Sequence, residues 1–388
     1  MGSTAVINAQ PLGIYVHVPF CPRRCSYCDF FVVAGAAPEL ERRLARALVG
    51  DLLLAAEQGL AGRAADTLYF GGGTPSRLTA GEVGAILAAA RRSFDWRGTA
   101  EVTLEANPES LTPEHLGALR DAGVNRLSLG VQTLDGATLR SLGRLHGEED
   151  VHAAARAARA AGFDNLSFDL ICGLPGLEAG RWVRDLERLV GEHSPEHVSV
   201  YTLEMDKQMP LRREVEAGRV RLPSDEQTMT AFESGARLLE RLDYERYEVS
   251  SFARPGFRSA HNLKYWTDAP FLGIGPSAWS YLDGRRLSRA ADVDLYLGAV
   301  EAGGIPVETA EEDAPDRRLA EAVILGLRLR EGVDLESCGR AYGRDAWAVY
   351  GERVRRLEAE GWLETSGGRV RLTPAALPVA NAVWSEFL

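Results

Sequence analysis

Three cysteines, Cys21, Cys25 and Cys28, stand at C-x3-C-x2-C spacing within the stretch Tyr15–Phe30, directly behind a β-branched and aromatic run that reads as a strand. Thiolates are the ligands of iron–sulfur clusters, and a cuboidal [4Fe–4S] cluster normally takes four. Three in one short loop leave one iron without a protein ligand, open to chelation by a small molecule that offers an amino and a carboxylate group. Two other uses of these residues compete. A structural zinc site takes four ligands, usually from two separated pairs; no second pair stands out, and His17 lies on the strand. A disulfide among three clustered cysteines leaves an odd thiol. In an intracellular chain the spacing reads as a metal framework.

Further candidate residues fall where strands are expected to end. Gly71-Gly72-Gly73-Thr74-Pro75 follows a short β-branched and aromatic run. With no Cβ, such glycines let a ligand touch the backbone, although a plain tight turn has the same signature. Glu105, Gln132, Arg144 and Asp169 each end a strand or lie in the first turns after one. The guanidinium fork suits a carboxylate, and a strand-end aspartate suits a pair of ribose hydroxyls. Taken singly, each reads better as a salt bridge or a helix cap. As a set at successive strand ends they describe convergent polar groups in one pocket.

The elements that must position these residues alternate regularly. Strands are expected over 13–20, 67–70, 101–104, 126–132, 165–171 and 198–203. Helices are expected over 38–57, where Leu40, Leu44, Leu48 and Leu52 repeat at i+4, and over 80–94, 112–122, 135–142, 148–161, 177–190 and 224–242. Gly123 and Gly162 supply C-terminal stops. This pattern predicts an α/β fold with a parallel sheet and helices outside it, joined by right-handed crossovers; periodicity does not separate an open sheet from a partial barrel. After about residue 245 the character changes. Tyr247–Phe252 reads as an added strand, His261–Trp266 and Pro270–Tyr281 are rich in aromatics, glycine and proline, and the acidic stretch 308–316 reads as a linker. Helices over 316–330, 334–341 and 345–360 then precede a hairpin turned at Gly367-Gly368, a winged-helix-like α+β arrangement. The division expected is 1–245 for the large domain, 246–312 for a connector and 313–388 for the small C-terminal domain.

At 388 residues the chain is long for one core. The formal net charge of −11 argues against a general nucleic-acid binder. Lys207 and Lys264 are the only lysines, so arginine carries nearly all positive charge, a bias of composition and not a patch. Residues 1–12 have neither the basic nor the apolar region of a signal peptide, and no apolar run reaches the roughly 18 residues of a membrane span. Cys172 and Cys338 are expected to be buried as small hydrophobes. The whole fits a reducing cytoplasm.

The cysteine spacing, with Tyr27 just before the last cysteine, resembles that of the radical S-adenosylmethionine superfamily. The resemblance implies a (β/α)6 partial barrel with its site at the C-terminal strand ends, as in closed barrels. It also implies a [4Fe–4S] cluster on Cys21, Cys25 and Cys28, and S-adenosylmethionine on the open iron with its amino group at the glycine-rich segment; electron transfer from the cluster then cleaves the sulfonium. Tyr-Val-His-Val-Pro-Phe-Cys, Gly-Gly-Gly-Thr-Pro, Gly-Val-Gln and Asp-Leu-Ile-Cys-Gly-Leu-Pro look like the oxygen-independent coproporphyrinogen III oxidase family and its relatives, over nearly the whole chain. Carried over, the resemblance gives Tyr15, Gly72, Gly73, Thr74, Glu105, Gln132, Arg144 and Asp169 as contacts of S-adenosylmethionine. Two features depart from the oxidase: Phe30 stands where it has a fourth cysteine, and only about a dozen residues precede the first strand where it has a long extension.

His261-Asn-x-x-Tyr265-Trp266 is similar to the mark of the HemW-type heme chaperones within that family. Histidine is the commonest proximal ligand of heme iron, and Tyr265 and Trp266 offer flat apolar faces to a porphyrin; an isolated histidine beside aromatics is as readily structural. Cys21-Pro22 has the look of a heme-regulatory pair, but Cys21 belongs to the cluster motif. The resemblance thus implies a cytoplasmic heme-binding protein that hands heme to an acceptor protein and takes electrons from a donor. It implies no nucleic acid and no stable membrane insertion, while allowing peripheral contact with a membrane acceptor. The alternatives are oxidative decarboxylation of coproporphyrinogen III to protoporphyrinogen IX and, third, radical methyl transfer, which needs a second bound S-adenosylmethionine.

Overall fold

The computed structural model describes residues 10–205, 209–312 and 314–388, which leaves Lys207 outside. Its centre is six strands in chain order: β1 (Leu12–Val18), β2 (Ala64–Gly72), β3 (Asp95–Ala106), β4 (Arg126–Gln132), β5 (Leu166–Cys172) and β6 (His197–Thr202). Each pairs in parallel with the next. The connecting helices are α1 (Pro38–Ala55), α2 (Ala80–Ser93), α3 (Pro113–Ala122), α4 (Gly136–Leu142), α5 (Glu148–Ala160) and α6 (Ala179–His193). Local chemistry sets their ends. Thr79 and Glu82 form a reciprocal capping box at the start of α2, and Gly123 stops α3 in the left-handed region at φ 113°.

After β6 the chain adds α7 (Pro210–Glu216), a helix the sequence reading did not foresee, and α8 (Asp225–Arg241). The expected strand at 247–252 is instead an antiparallel ribbon, β7 (Glu245–Arg246) and β8 (Ser251–Ala253), with β8 paired to β6. Then come α9 (Ala260–Trp266), β9 (Phe271–Ile274), β10 (Trp279–Leu282), β11 (Arg285–Arg289), α10 (Val293–Glu301) and β12 (Val307–Glu312). Among the described residues twelve strands make one sheet, in the order β12-β11-β10-β9-β1-β2-β3-β4-β5-β6-β8-β7. The outer neighbour of β1 is β9, not β6, so the sheet curves through six β/α units without closing: a partial barrel.

The acidic stretch expected to be a linker is in large part an edge strand. β12 pairs antiparallel with β11, setting Glu311 opposite Arg286 and Ala310 opposite Leu287. Carboxylates and arginines facing one another favour this register, and a charged outer row suits a sheet edge. The segment 246–312 therefore continues the barrel sheet. One hydrophobic core runs from Leu12 to Val300. A second, from Leu319 to Phe387, belongs to α11 (Pro315–Leu327), β13 (Val333–Asp334), α12 (Leu335–Ala341), α13 (Ala346–Ala359), β14 (Leu363–Ser366), β15 (Arg369–Leu372) and α14 (Ala380–Ser385). The small sheet has the order β13-β15-β14, and the sequence helix, strand, helix, helix, strand, strand is winged-helix-like. Its hairpin turns at Gly367-Gly368, both with positive φ. Among the described residues no helix is long and apolar enough to cross a membrane.

Candidate functional site

The cysteine loop leaves the end of β1 and is tied down on three sides. Cys28 N donates to Cys25 O at 3.2 Å, closing a turn between two of the cysteines. Ser26 N donates to Leu142 O, and Leu211 N, at the start of α7, donates to Ser26 O at 2.8 Å. Beneath the loop, His17 Nε2 bonds Phe31 O at 3.1 Å. A carbonyl only accepts, so Nε2 carries the proton and Nδ1 accepts from Tyr15 Oη at 3.0 Å. All five cysteines are free. Burial pushes the Cys21 thiol up, and the Cys28 thiol up to about 11. Cys172 is fully buried, whereas Cys338 is only half-buried against the second core.

The three cysteines line one cavity of about 360 Å³ at the C-terminal edge of the barrel strands. Gly72, Gly73, Thr74, Glu105, Gln132, Arg144 and Asp169 line the same cavity, so ten of the sequence-chosen residues converge. The two glycines are needed for a reason the sequence did not disclose. Gly72 has φ 110°, and a Cβ there would come within 2.6 Å of the His17 ring; one at Gly73 would come within 2.7 Å of the Pro19 carbonyl carbon. What they admit at close range is the protein's own chain beneath the cysteine loop. Gly73 N donates to Val18 O and Thr74 N to Phe20 O, which fastens the loop to β2.

Glu105 accepts from Tyr69 Oη at 2.7 Å and from Gly72 N at 3.2 Å. Burial, opposed by these bonds and assisted by the negative charge of Asp169, raises its carboxyl to about 7. Asp169 accepts from Ser128 Oγ at 2.8 Å and is likewise raised by burial. Gln132 closes β4 with φ 64°, an unusual conformation for a side chain of its size. Arg144 donates through Nη2 to Gly130 O at 2.7 Å and to Asn107 Oδ1 at 2.9 Å.

Asn107 is the functional residue the sequence reading passed over. Its Nδ2 donates to Thr74 Oγ1 at 3.3 Å, and Thr74 Oγ1 donates to Cys21 Sγ at 3.4 Å. A continuous chain thus runs from Arg144 through Asn107 and Thr74 to a cysteine sulfur. The sequence places Asn107 at a strand end, in Glu105-Ala-Asn-Pro108, and discloses neither of its partners. Ser128 and Tyr201 also line the cavity unforeseen. Phe30, 61% exposed, and Leu145, 50% exposed, form an apolar rim to it.

Tyr15 and the α9 residues stand elsewhere. Tyr15 lies below the cavity, inside the barrel, stacked on Tyr69 with ring centroids 6.2 Å apart. His261 is fully buried. Its Nδ1 is 2.8 Å from Thr67 Oγ1, near the start of β2, and its Nε2 is 2.9 Å from Tyr265 Oη. Its ring stacks on Tyr69 at 5.1 Å, and burial lowers its pKa to about 3. His261 N and Ala260 N both donate to Glu101, which pins the first turn of α9 against β3. In this arrangement His261 is a satisfied interior histidine, and none of His261, Tyr265 and Trp266 lines the cysteine cavity. Trp266 points toward the C-terminal domain, with the Arg328 guanidinium 4.2 Å from its ring.

The donor set suits the two groups the resemblance implied. Three free thiols on one cavity are soft ligands that favour an iron–sulfur cluster over a hard cation. Among the described residues the buried Nε of Arg144 has no hydrogen-bond partner, which leaves one guanidinium N–H for a ligand carboxylate.

Comparison with known proteins agrees with this geometry. Residues 15–189 match the family model of the radical SAM superfamily, and residues 313–379 that of the HemN C-terminal domain. The chain is similar to "Heme chaperone HemW" of Bacillus subtilis, at 31% identity over 96% of this chain and 98% of the relative. It is similar to the protein of that name from Mycobacterium tuberculosis H37Rv, at 35% identity over 99% and 96%. To the bovine "Radical S-adenosyl methionine domain-containing protein 1, mitochondrial" it is 37% identical over 98% and 88%. In fold it superposes on the coproporphyrinogen III oxidase HemN of Escherichia coli with a TM-score of 0.83, at 23% identity over 100% of this chain and 93% of that one. With full-length identities above 30%, two matched family models and the partial barrel that carries the cysteine cavity, the chain belongs to the HemW family of the radical SAM superfamily.

Proposed function

We propose that this chain is a heme chaperone, which binds heme and passes it to an acceptor protein while carrying a [4Fe–4S] cluster and S-adenosylmethionine. The observation that carries the reading is its full-length likeness to relatives that bear the name heme chaperone. The cavity supports the cofactor pair. Cys21, Cys25 and Cys28 would hold the cluster, and the Thr74 hydroxyl on the Cys21 sulfur would tune it, since hydrogen bonds to the sulfurs set cluster potential. Glu105 would meet an ammonium group, Arg144 a carboxylate and Asp169, hydrogen-bonded by Ser128, ribose hydroxyls; that all of them line one cavity supports this. The bound pair supplies one-electron chemistry at the sulfonium. An external electron donor and a reducing cytoplasm belong to the same proposal, because free thiols and cluster ligands survive there. Nucleic acid has no part in it, and an acceptor in a membrane would be met at the surface. By function the chain divides into 1–245 as cofactor domain, 246–312 as heme-contacting segment and 313–388 as accessory domain.

For heme, the proposed contacts are His261, Tyr265 and Trp266. His261 reaches an iron only if Tyr265 releases Nε2 and α9 swings out from the barrel, so the proposal includes that opening. No observation favours the oxidase reading beyond shared fold, and Phe30 stands at the cavity mouth where that family has a cysteine. The test is heme titration of anaerobically reconstituted protein. His261→Ala is expected to lose the Soret band of bound heme with iron and sulfide content unchanged. Tyr265→Phe, which frees Nε2, is expected to bind heme as well or better. Undiminished heme binding by His261→Ala removes His261 as the ligand, and turnover of coproporphyrinogen III to a vinyl product overturns the chaperone reading.

A further inference from the structure

On the outer face of the barrel, where α5 packs beside α6, three side chains with metal-binding atoms meet. His152 Nδ1 lies 2.7 Å from His193 Nε2 and 3.2 Å from Glu192 Oε2. One ligand atom from each of the three residues can be chosen so that all lie within 4.8 Å of one another. None of these residues lines the cysteine cavity.

We propose that His152, Glu192 and His193 bind a divalent transition metal of the zinc, nickel and copper group, which clamps α5 to α6. The donor set chooses the class. Imidazole suits these metals, whereas magnesium and calcium prefer sites made of oxygen. Distances agree. Tetrahedral ligands held about 2.0–2.1 Å from zinc lie roughly 3.3 Å apart, so His152 and Glu192 are already near that spacing, and the imidazoles need to part by about half an ångström. The surroundings agree as well. When Nδ1 of His152 is the ligand, its Nε2–H is free to donate, and Glu148 Oε1 lies 3.5 Å from it, one turn earlier on α5. A carboxylate behind a ligating histidine fixes the ring and raises its basicity. Glu148 is itself held by Arg188 of α6. Three protein ligands leave a fourth position for water, and Glu192, half-exposed, gives the metal a way in. The proposal is independent of the heme reading and uses none of its residues.

The test is metal content. The protein is loaded anaerobically with its cluster, because empty cysteine thiols would themselves take zinc, and is dialysed against micromolar zinc chloride. Wild type is expected to retain one zinc per chain in addition to its iron. His193→Ala and His152→Ala are expected to lose that zinc with iron and sulfide unchanged. Glu192→Gln, at an exposed position that does not threaten folding, is expected to weaken zinc at least tenfold. Cobalt, used in place of zinc, is expected to give visible bands of a nitrogen- and oxygen-ligated site in wild type that vanish in His193→Ala. Zinc absent from wild type, or retained equally by wild type and all three variants, overturns the proposal.

Discussion

At the scale of single residues, the cavity is built from groups whose charge depends on one another. Glu105 takes two hydrogen bonds that favour its anion, yet burial and the neighbouring Asp169 leave its carboxyl near 7. Below that pH the side chain is largely neutral and offers little to an ammonium group; above it the anion is present. Binding of S-adenosylmethionine is therefore expected to strengthen as pH rises from about 6 to 8, and Glu105→Gln is expected to flatten that slope. The variant should also weaken binding by about 1.5–3 kcal/mol, or roughly ten- to hundredfold, the worth of a hydrogen bond to a charged partner. Isothermal titration on the cluster-loaded protein at three pH values decides it; a Glu105→Gln protein that keeps the wild-type pH slope removes Glu105 from that role. Glu105 itself could be read from the sequence, because a carboxylate at a strand end after a glycine-rich turn invites the reading. Asn107 and Ser128 could not. Their importance lies in the partners that strand register gives them, Thr74 and Arg144 for the one and Asp169 for the other, and those partners are 33 to 41 residues away.

At the scale of elements, what the sequence disclosed follows the range of the forces involved. The six β/α units were legible because each is marked locally: apolar strands of period two, helices with leucine at i+4, glycine stops such as Gly123. The strands β11 and β12 were not, because Arg285–Arg289 and Val307–Glu312 are short and polar and become strands only through pairing. What fixes them to the barrel is a buried cluster on α1. Asp51, fully buried, accepts from Arg289 Nε and Nη2, from Tyr296 Oη at 2.9 Å and from Gly275 N at 3.2 Å. One carboxylate thereby holds β11, α10 and the turn after β9. Its charge is invisible in the i+4 leucine pattern of α1, where position 51 reads as one polar residue among apolar ones. Asp51→Ala would leave the Arg289 guanidinium buried and uncompensated, at a cost of about 3–5 kcal/mol. Urea unfolding followed by tryptophan fluorescence is the measurement, and a loss below 1 kcal/mol would mean that the cluster is not what anchors these strands.

At the scale of the whole molecule, the two cores meet at a second carboxylate. Asp268, just past α9, accepts from Tyr281 Oη at 3.1 Å on β10 and from the Tyr342 hydroxyl, which belongs to the C-terminal domain. Arg318 of α11 donates to Tyr281 Oη at 2.9 Å and stands over the Tyr342 ring. Burial, helped by Glu321 and opposed by the Tyr281 bond, Arg318 and Arg286, raises the Asp268 carboxyl to about 7. An unfolded aspartate titrates near 3.9. Between those values the folded chain binds a proton that the unfolded chain does not, so this contribution to stability is full below about 4 and is lost as pH rises through 7. Between pH 6 and 8 the loss amounts to on the order of 1 kcal/mol. Asp268 has φ 53°, a conformation asparagine also tolerates, so Asp268→Asn tests the charge without straining the turn. The expected outcome is that the melting temperature of wild type falls from pH 6 to 8 relative to that of Asp268→Asn, and that protease cleavage between the two cores quickens over the same range in wild type alone. Parallel pH profiles for the two proteins would place the pH sensitivity of the domain junction elsewhere. The junction lies directly against α9, whose Trp266 is covered by the Arg328 guanidinium, itself over the Trp384 ring of α14, so whatever loosens the C-terminal domain also uncovers Trp266, one of the residues proposed to meet heme.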